Sequence, residues 1–481
     1  MTITEAMELA SRHHLPGQWQ VAERLYRQIL LVDPAVAEAR MNLGIALASQ
    51  SRVDEAIAAF EAALVLRPDS ADGWFNLGNA LFQSRQASRA VEAFNKAVSL
   101  RHDFPQAWNN PSLAEEVDGN VSRAIDASQT AITLRPAYGD AYVNLGRMLR
   151  TNGDLSAAVD ACRRAIELKG DLPAIHFSLA TALLLAGDFE NGLREFEWRR
   201  LDPALQLRRP ASLPPWDGAP LAGRRIALYA EQGFGDAIQF VRYLPFVARQ
   251  SGRIFLHCQT ELARLFEPIP EVEQVVPLGT TRVQADVCCP LESLPYLART
   301  TESTIPPLRL PWQSEERQSE FWSERLRSIP ERFRIGIAWA GSNTHLDDRS
   351  RSITLGKLSP LMQLADIAWI SLQKQGTSPL ESASGLHDWT TELKDFSDTA
   401  ALISQLDLVI SVDTAVAHLA GALGKPVWML LAFVPDWRWM LHRLDSPWYP
   451  TMRLFRQTRR GDWQTPIEEI ASAIRSLTAG A

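Results

Sequence analysis

Two short stretches of this chain carry residue types able to do chemistry. In EQGFGD, residues 231–236, two carboxylates, Glu231 and Asp236, flank a pair of glycines, Gly233 and Gly235, that permit a tight turn and the close approach of a ligand. A carboxylate in such a loop can accept a proton from an incoming hydroxyl, and it can equally cap the helix that follows. The second stretch, DLVISVDTAVAHLAGALGK, sets Asp413 and Thr414 at a turn and His418 four residues beyond Thr414, on the same helical face. Backbone N–H groups in the first turn of that helix, with its dipole behind them, suit a pyrophosphate. The alternative is a threonine cap beside a packed histidine.

Strands must end just ahead of these stretches if they are to be sites. RIALYA, 225–230, reads as a buried strand and 237–249 as an amphipathic helix. Further on, RIGIAWA opens a strand at Arg334, and IAWISLQK ends one at Gln373 and Lys374. DLVISV, AVAHLAGAL and PVWMLL then read as strand, helix and strand, with Gly424 as the helix cap. Short apolar runs alternating with amphipathic stretches predict parallel sheets with crossover helices, and ligands collect beyond the carboxyl ends of such strands. The loop GSNTHLDDRSRS adds Arg349 and Arg351, which with Lys374 are cations eligible to meet a phosphate. Trp437, Trp439 and Trp448, in an aromatic stretch near the end, read as packing rather than as a wall against a ligand.

The first two hundred residues repeat every 34. One column holds Ala10, Gly44, Gly78, Ser112, Gly146 and Ala180, small residues where two helices approach closely. Another holds Ala22, Ala56, Ala90, Ala124 and Ala158, each followed four residues later by Tyr26, Phe60, Phe94, Ser128 and Cys162, with Phe196 in the last unit. Pro34, Pro68 and Pro136 close three of the units. A 34-residue helix-turn-helix period is that of tetratricopeptide repeats, and about six units would stack into a solenoid able to hold a partner. Pro111 stands where other units carry Leu43, Leu77 and Leu145, so the first helix of the fourth unit should be kinked or broken. Asn42, Asn76, Asn110 and Asn144 recur at the same interval, and a line of carboxamides can hold an extended peptide by its backbone. Local packing is the other reading of that line.

These signals divide 481 residues into a solenoid at 1–204, a Pro/Gly-rich linker at 205–223, and two α/β lobes at 224–331 and 332–481 whose cores should be their own. A net charge of -7 argues against a dedicated nucleic-acid binder. The N-terminal residues lack a signal-like apolar core and no window is long enough to span a membrane, so a cytoplasmic location is expected. Cys162, Cys258, Cys288 and Cys289 lack paired spacing and are expected as reduced core residues.

GFGDAIQFVRYLP and DLVISVDTAVAHLAGALGKPVW together resemble the heptosyltransferase-like glycosyltransferase family 9, which has the GT-B fold of two facing Rossmann-like lobes. The resemblance implies metal-independent transfer from a nucleotide sugar, with Asp236 as the general base. It implies that Gly235, Asp413, Thr414, Ala415 and His418 contact the donor, and that a basic or polar residue among Arg349, Arg351, Gln373 and Lys374 balances its pyrophosphate. Ala415 replaces a glycine frequent in the family, although the backbone N–H remains. No Asp-x-Asp occurs, so no metal is expected. The asparagine column resembles the ladder of the protein O-linked N-acetylglucosamine transferases, and the architecture looks like that of their bacterial relatives, which implies a polypeptide acceptor in the solenoid groove. Assembly of a cell-surface glycan, a non-catalytic scaffold, and another nucleotide-sugar enzyme such as an epimerase are the competing expectations. An oligomer is possible.

Overall fold

A computed structural model describes residues 2–14, 17–110, 112, 115, 119–205, 213–279, 285–331, 333–341, 348–374 and 385–478. The chain forms two compact units, Met1–Leu179 and Ala180–Ala481.

The first unit is a tetratricopeptide-like stack of antiparallel helix pairs, beginning Ile3–His14 with Trp19–Val32 and Ala37–Ala48 with Val53–Leu66. The two sequence columns meet face to face: a Cβ added to Gly44 would lie 2.5 Å from the Phe60 ring, and one added to Gly78 would lie 2.7 Å from Phe94. Only a small residue lets the helices close over the aromatic ring. Each first helix is followed by a left-handed residue, at Gly17, Ser51, Arg85, Gly119, Gly153 and Gly187. Four of these are glycine; Ser51 and Arg85 adopt φ of 60° and 63° with a Cβ in place. In the fourth repeat a helix is described at Pro105–Asn109, and residues 112 and 115 are again helical; Pro111, where a kink or break is expected, lies outside the described residues.

The second unit holds two all-parallel sheets. In the first lobe β1 (Arg225–Tyr229), β2 (Arg253–Cys258), β3 (Val272–Pro277) and β4 (Val287–Pro290) lie in the order β3-β2-β1-β4. In the second, β5 (Phe333–Ala338), β6 (Ile367–Ser371), β7 (Leu386–Asp388), β8 (Leu408–Val412), β9 (Val427–Leu431) and β10 (Met452–Arg456) lie in the order β10-β9-β8-β5-β6-β7. Each sheet therefore reverses its winding once, between β1 and β4 and between β5 and β8. Those are the topological switch points at which open α/β sheets take ligands. The single helix expected over 237–249 is instead Phe234–Phe240, a 3-10 turn at Val241–Tyr243 and Leu244–Ala248. Pro245 is the cause, since it lacks the N–H that a continuous helix needs there.

Two boundaries differ from expectation. Packing divides the chain within the helix Pro173–Leu185, ahead of residue 204, so the last repeat counts with the α/β unit. Phe189, Leu193 and Phe196 are each 3% exposed, with Phe189 and Phe196 against Trp437 at ring distances of 6.5 and 6.0 Å. The described part of the expected linker is not loose chain either. Residues 214–216 pair with the outer side of β4, Pro214 O and Trp216 N being hydrogen bonded to Cys288, and Leu221 N bonds Gln250 O ahead of β2. All four cysteines are buried and none forms a disulfide. Among the described residues no helix is long and apolar enough to cross a membrane.

Candidate functional site

Both chemistry-bearing stretches sit beyond strands that border a switch point. Asp236 follows β1 in the third position of the helix Phe234–Phe240, and its two oxygens are both engaged. Oδ2 accepts the Gly233 N–H at 2.9 Å, the helix-capping role that aspartate commonly takes, and Oδ1 accepts Nη2 of Arg438 at 2.5 Å. The second bond crosses from one lobe to the other. The helices Phe234–Phe240 and Ala415–Ala422 touch here: a Cβ on Gly235 would stand 2.8 Å from Cδ2 of His418. A glycine is needed at 235 because the imidazole occupies the space of its side chain. Phe234 meets Phe396 nearby, at 4.9 Å between rings.

On the second lobe, Asp413 and Thr414 close β8, and Thr414 O accepts the first helical N–H groups, from Ala417 and His418. The Thr414 side chain does not cap the helix; its hydroxyl meets Ser411 Oγ at 3.0 Å. Asp413, Thr414 and Ala415 are half-buried, and His418 is buried with Nδ1 2.9 Å from the Tyr449 hydroxyl and Nε2 3.8 Å from Asp413. Burial first, then the charges of Arg438, Arg242 and Arg351, push the His418 pKa far below its usual value, so the ring is neutral near pH 7. Burial, then the neighbouring Asp436 carboxylate, raises Asp413 to about 6.

The other expected donor-side residues divide. Gln373 is half-buried and its Oε1 accepts the N–H groups of Trp339 and Ala340 at 3.1 and 2.9 Å, tying the ends of β6 and β5 together. Lys374 is exposed and donates to Lys394 O at 3.0 Å. Arg351 lies 3.5 Å from Asp348, against Gly341 at the end of β5, and its charge reaches both Asp413 and His418. Arg349 is in the helix Asp348–Arg351, its side chain outside the described residues, as are 342–347.

The residue that sequence reasoning passed over is Arg438. It stands between two tryptophans and is 7% exposed, yet it bridges the lobes through Asp236 and through Gln239 Oε1 at 3.0 Å, while Nη1 holds Asp436 at 2.8 Å. Burial opposes its charge, but Asp436 and Asp236 keep its pKa above the ordinary arginine value. Arg242 bridges in the opposite sense, from the first lobe to Trp448 O at 2.8 Å. A second overlooked arginine, Arg199, is fully buried behind the 231–236 loop, with Nη2 2.6 Å from Glu231 and 3.0 Å from Ser293 Oγ. Glu292, following β4, is buried, and burial followed by Glu231 and Asp236 raises its pKa far above the carboxylate range. The expected packing role of Trp437, Trp439 and Trp448 agrees with their burial at 5%, 0% and 1%.

In the solenoid, Asn42, Asn76, Asn110 and Asn144 are all half-buried. Asn110 Nδ2 donates to Asn79 Oδ1 at 2.7 Å and Asn144 Nδ2 to Asn109 Oδ1 at 2.9 Å, so carboxamides link first helices of successive repeats.

Residues 17–71, 49–111 and 112–173 match the tetratricopeptide repeat family, and 383–435 match glycosyltransferase family 9 (heptosyltransferase). The latter covers β7 to the end of β9 with Asp413, Thr414 and His418, and stops short of Arg438. Protein FlbA of Caulobacter vibrioides is 27% identical over 344 residues, which is 64% of this chain and 56% of that protein. The chain's match thus spans a little over half of that relative's length. Among solved structures, MamA is 25% identical over 35% of this chain and 91% of its own (TM-score 0.33), and Pseudomonas aeruginosa pilF is 15% identical over 42% and 92% (TM-score 0.38). The chain is similar to tetratricopeptide proteins in its first unit and to family 9 glycosyltransferases across the switch point of its last sheet.

Proposed function

We propose that the second unit transfers a glycosyl group from a nucleoside-diphosphate sugar to an acceptor hydroxyl, and that the acceptor is a polypeptide held by the repeats. The observation that carries this reading is the packing of Gly235 on His418, with Asp236 beside it bonded to Arg438, which brings the two loops together, each at the switch point of its own parallel sheet. In the proposed step the acceptor oxygen bonds to the anomeric carbon and its proton passes to Asp236. The bond from that carbon to the phosphate oxygen breaks, and its electron pair leaves with the diphosphate. Backbone donors at Ala415 and the charges of Arg351 and Arg438 offset the charge that develops on the leaving group. No step calls on a metal. The family 9 match, described as heptosyltransferase, favours a glycan acceptor as the second reading.

Thermal shifts of the whole protein with a panel of nucleotide sugars test donor binding, because a ligand at 100 times its Kd stabilises by about 2.7 kcal/mol. With the donor identified, Asp236→Asn should bind it yet transfer about 100-fold more slowly, the scale of a lost general base. Full turnover in that variant would remove Asp236 as the base.

A further inference from the structure

We propose that Arg438 is a latch between the lobes whose counter-anion changes during turnover: Asp236 before the donor enters, the donor's diphosphate afterwards. The inference rests on the transferase reading of the same cleft. A guanidinium has five N–H donors, and three of Arg438's are used, on Gln239, Asp436 and Asp236. Its plane is held from the side by the rings of Trp437 and Phe240, 4.6 and 5.4 Å from its central carbon. Those rings and Asp436, from its own 3-10 turn, keep the group in place whichever anion it faces across the cleft.

Arg438 holds the proposed base, its neighbour Trp439 lies 5.3 Å from the His418 ring, and His418 fills the space above Gly235 beside that base, so the guanidinium stands next to the turn that carries the proposed diphosphate contacts. A diphosphate brings at least two negative charges and a geometry that a guanidinium can grip with two parallel bonds, which a single carboxylate oxygen does not match. The donor therefore competes with Asp236 for the same cation. While Arg438 holds Asp236, taking a proton onto that carboxylate means giving up a charge-assisted bond. Once the diphosphate satisfies Arg438, the carboxylate is free to accept the acceptor's proton. Donor loading thus comes before deprotonation, which keeps the base from acting on an acceptor hydroxyl until the donor is in place.

The latch makes predictions of opposite sign for its two ends. Calorimetry on the full chain would use whichever of UDP, GDP, ADP or CDP the wild type binds. Asp236→Asn removes the competitor and should tighten that binding about fivefold or more, whereas Arg438→Met should weaken it on the order of tenfold. Arg438→Lys keeps the charge without the fork and should fall between, and it stands in for the methionine variant should that one fail to fold. Weaker or unchanged binding in Asp236→Asn would overturn the latch while leaving the transferase reading intact. If the wild type bound none of the four, the transferase reading itself would fall and the latch with it.

Discussion

A fragment beginning near Leu205 contains both sheets and should nevertheless fail to fold. It lacks Phe189, Leu193 and Phe196, each 3% exposed against the α/β unit, and burial of side chains of this size contributes about 1.5–3 kcal/mol apiece. It also lacks Arg199, whose guanidinium and Glu231 partner are both 0% exposed. Breaking a buried ion pair by removing one member costs about 3–5 kcal/mol, because the remaining charge is stranded. Together the losses approach roughly 10 kcal/mol, which is comparable to the whole stability of an ordinary domain at about 5–15 kcal/mol. A fragment beginning at Leu172 keeps the helix Pro173–Leu185 and all four side chains and should melt cooperatively. Near-ultraviolet circular dichroism during a thermal scan reports the packing of the tryptophans and separates the two fragments. Arg199→Met in the full chain isolates the ion pair, and a loss of about 4 kcal/mol should lower the melting temperature of this unit by roughly 10 °C. If the 205 fragment melted within about 2 °C of the 172 fragment, the last repeat would be an ornament and the argument from burial would fail.

Asp413 holds its proton to about pH 6 in the folded chain against 3.8 ordinarily, so the native state binds more protons in that window and this group's contribution to stability falls as pH rises through it. Relative to wild type, Asp413→Asn should therefore gain about 2.4 kcal/mol between pH 4 and pH 7 in urea titrations, and a constant difference would contradict the shift. Ser51→Gly and Arg85→Gly relieve left-handed backbone at the repeat turns and should each raise stability by about 0.5–1 kcal/mol; a loss in either would mean that its side chain contributes more than its strain costs. Replacing Asn42, Asn76, Asn110 and Asn144 together by alanine should leave donor binding intact and slow modification of a polypeptide acceptor; an unchanged rate would assign the column to packing alone. Transfer should persist in EDTA, and loss reversed by magnesium or manganese would contradict the metal-free leaving step.

The repeat period was legible because each helix pair packs chiefly on its neighbours, so the contact of Gly44 with Phe60 recurs wherever the spacing recurs. The strands were legible for the same local reason, being short apolar runs that end at Tyr229 and Val412, ahead of Asp236 and Asp413. What could not be read were long-range pairings. Arg438 lies 202 residues from Asp236, and between Trp437 and Trp439 it resembles one more packing residue. Arg199 ends a helical stretch where a charged residue is ordinarily solvated, and only the fold brings Glu231 to it, 32 residues on. The break in the helix over 237–249 had a visible cause in Pro245, which the amphipathic pattern obscured.

The strap at 213–223 has a consequence for the life of the protein outside its reaction. β4 is an edge strand, VCCP, with no charge on it and two thiols. Uncovered, its row of N–H and C=O groups would be a template for the same strand of another molecule, and two neighbouring cysteines would stand ready to cross-link the pair. Pro214, Pro215 and Trp216 lie along that edge, with Trp216 buried at 4%, and proline at position 215 has no N–H with which to extend the ladder further. The segment that looks most like dispensable spacer therefore occupies the edge on which another strand could pair. Shortening it to bring the lobes closer to a fusion partner would be expected to yield oxidisable aggregates rather than a more compact enzyme.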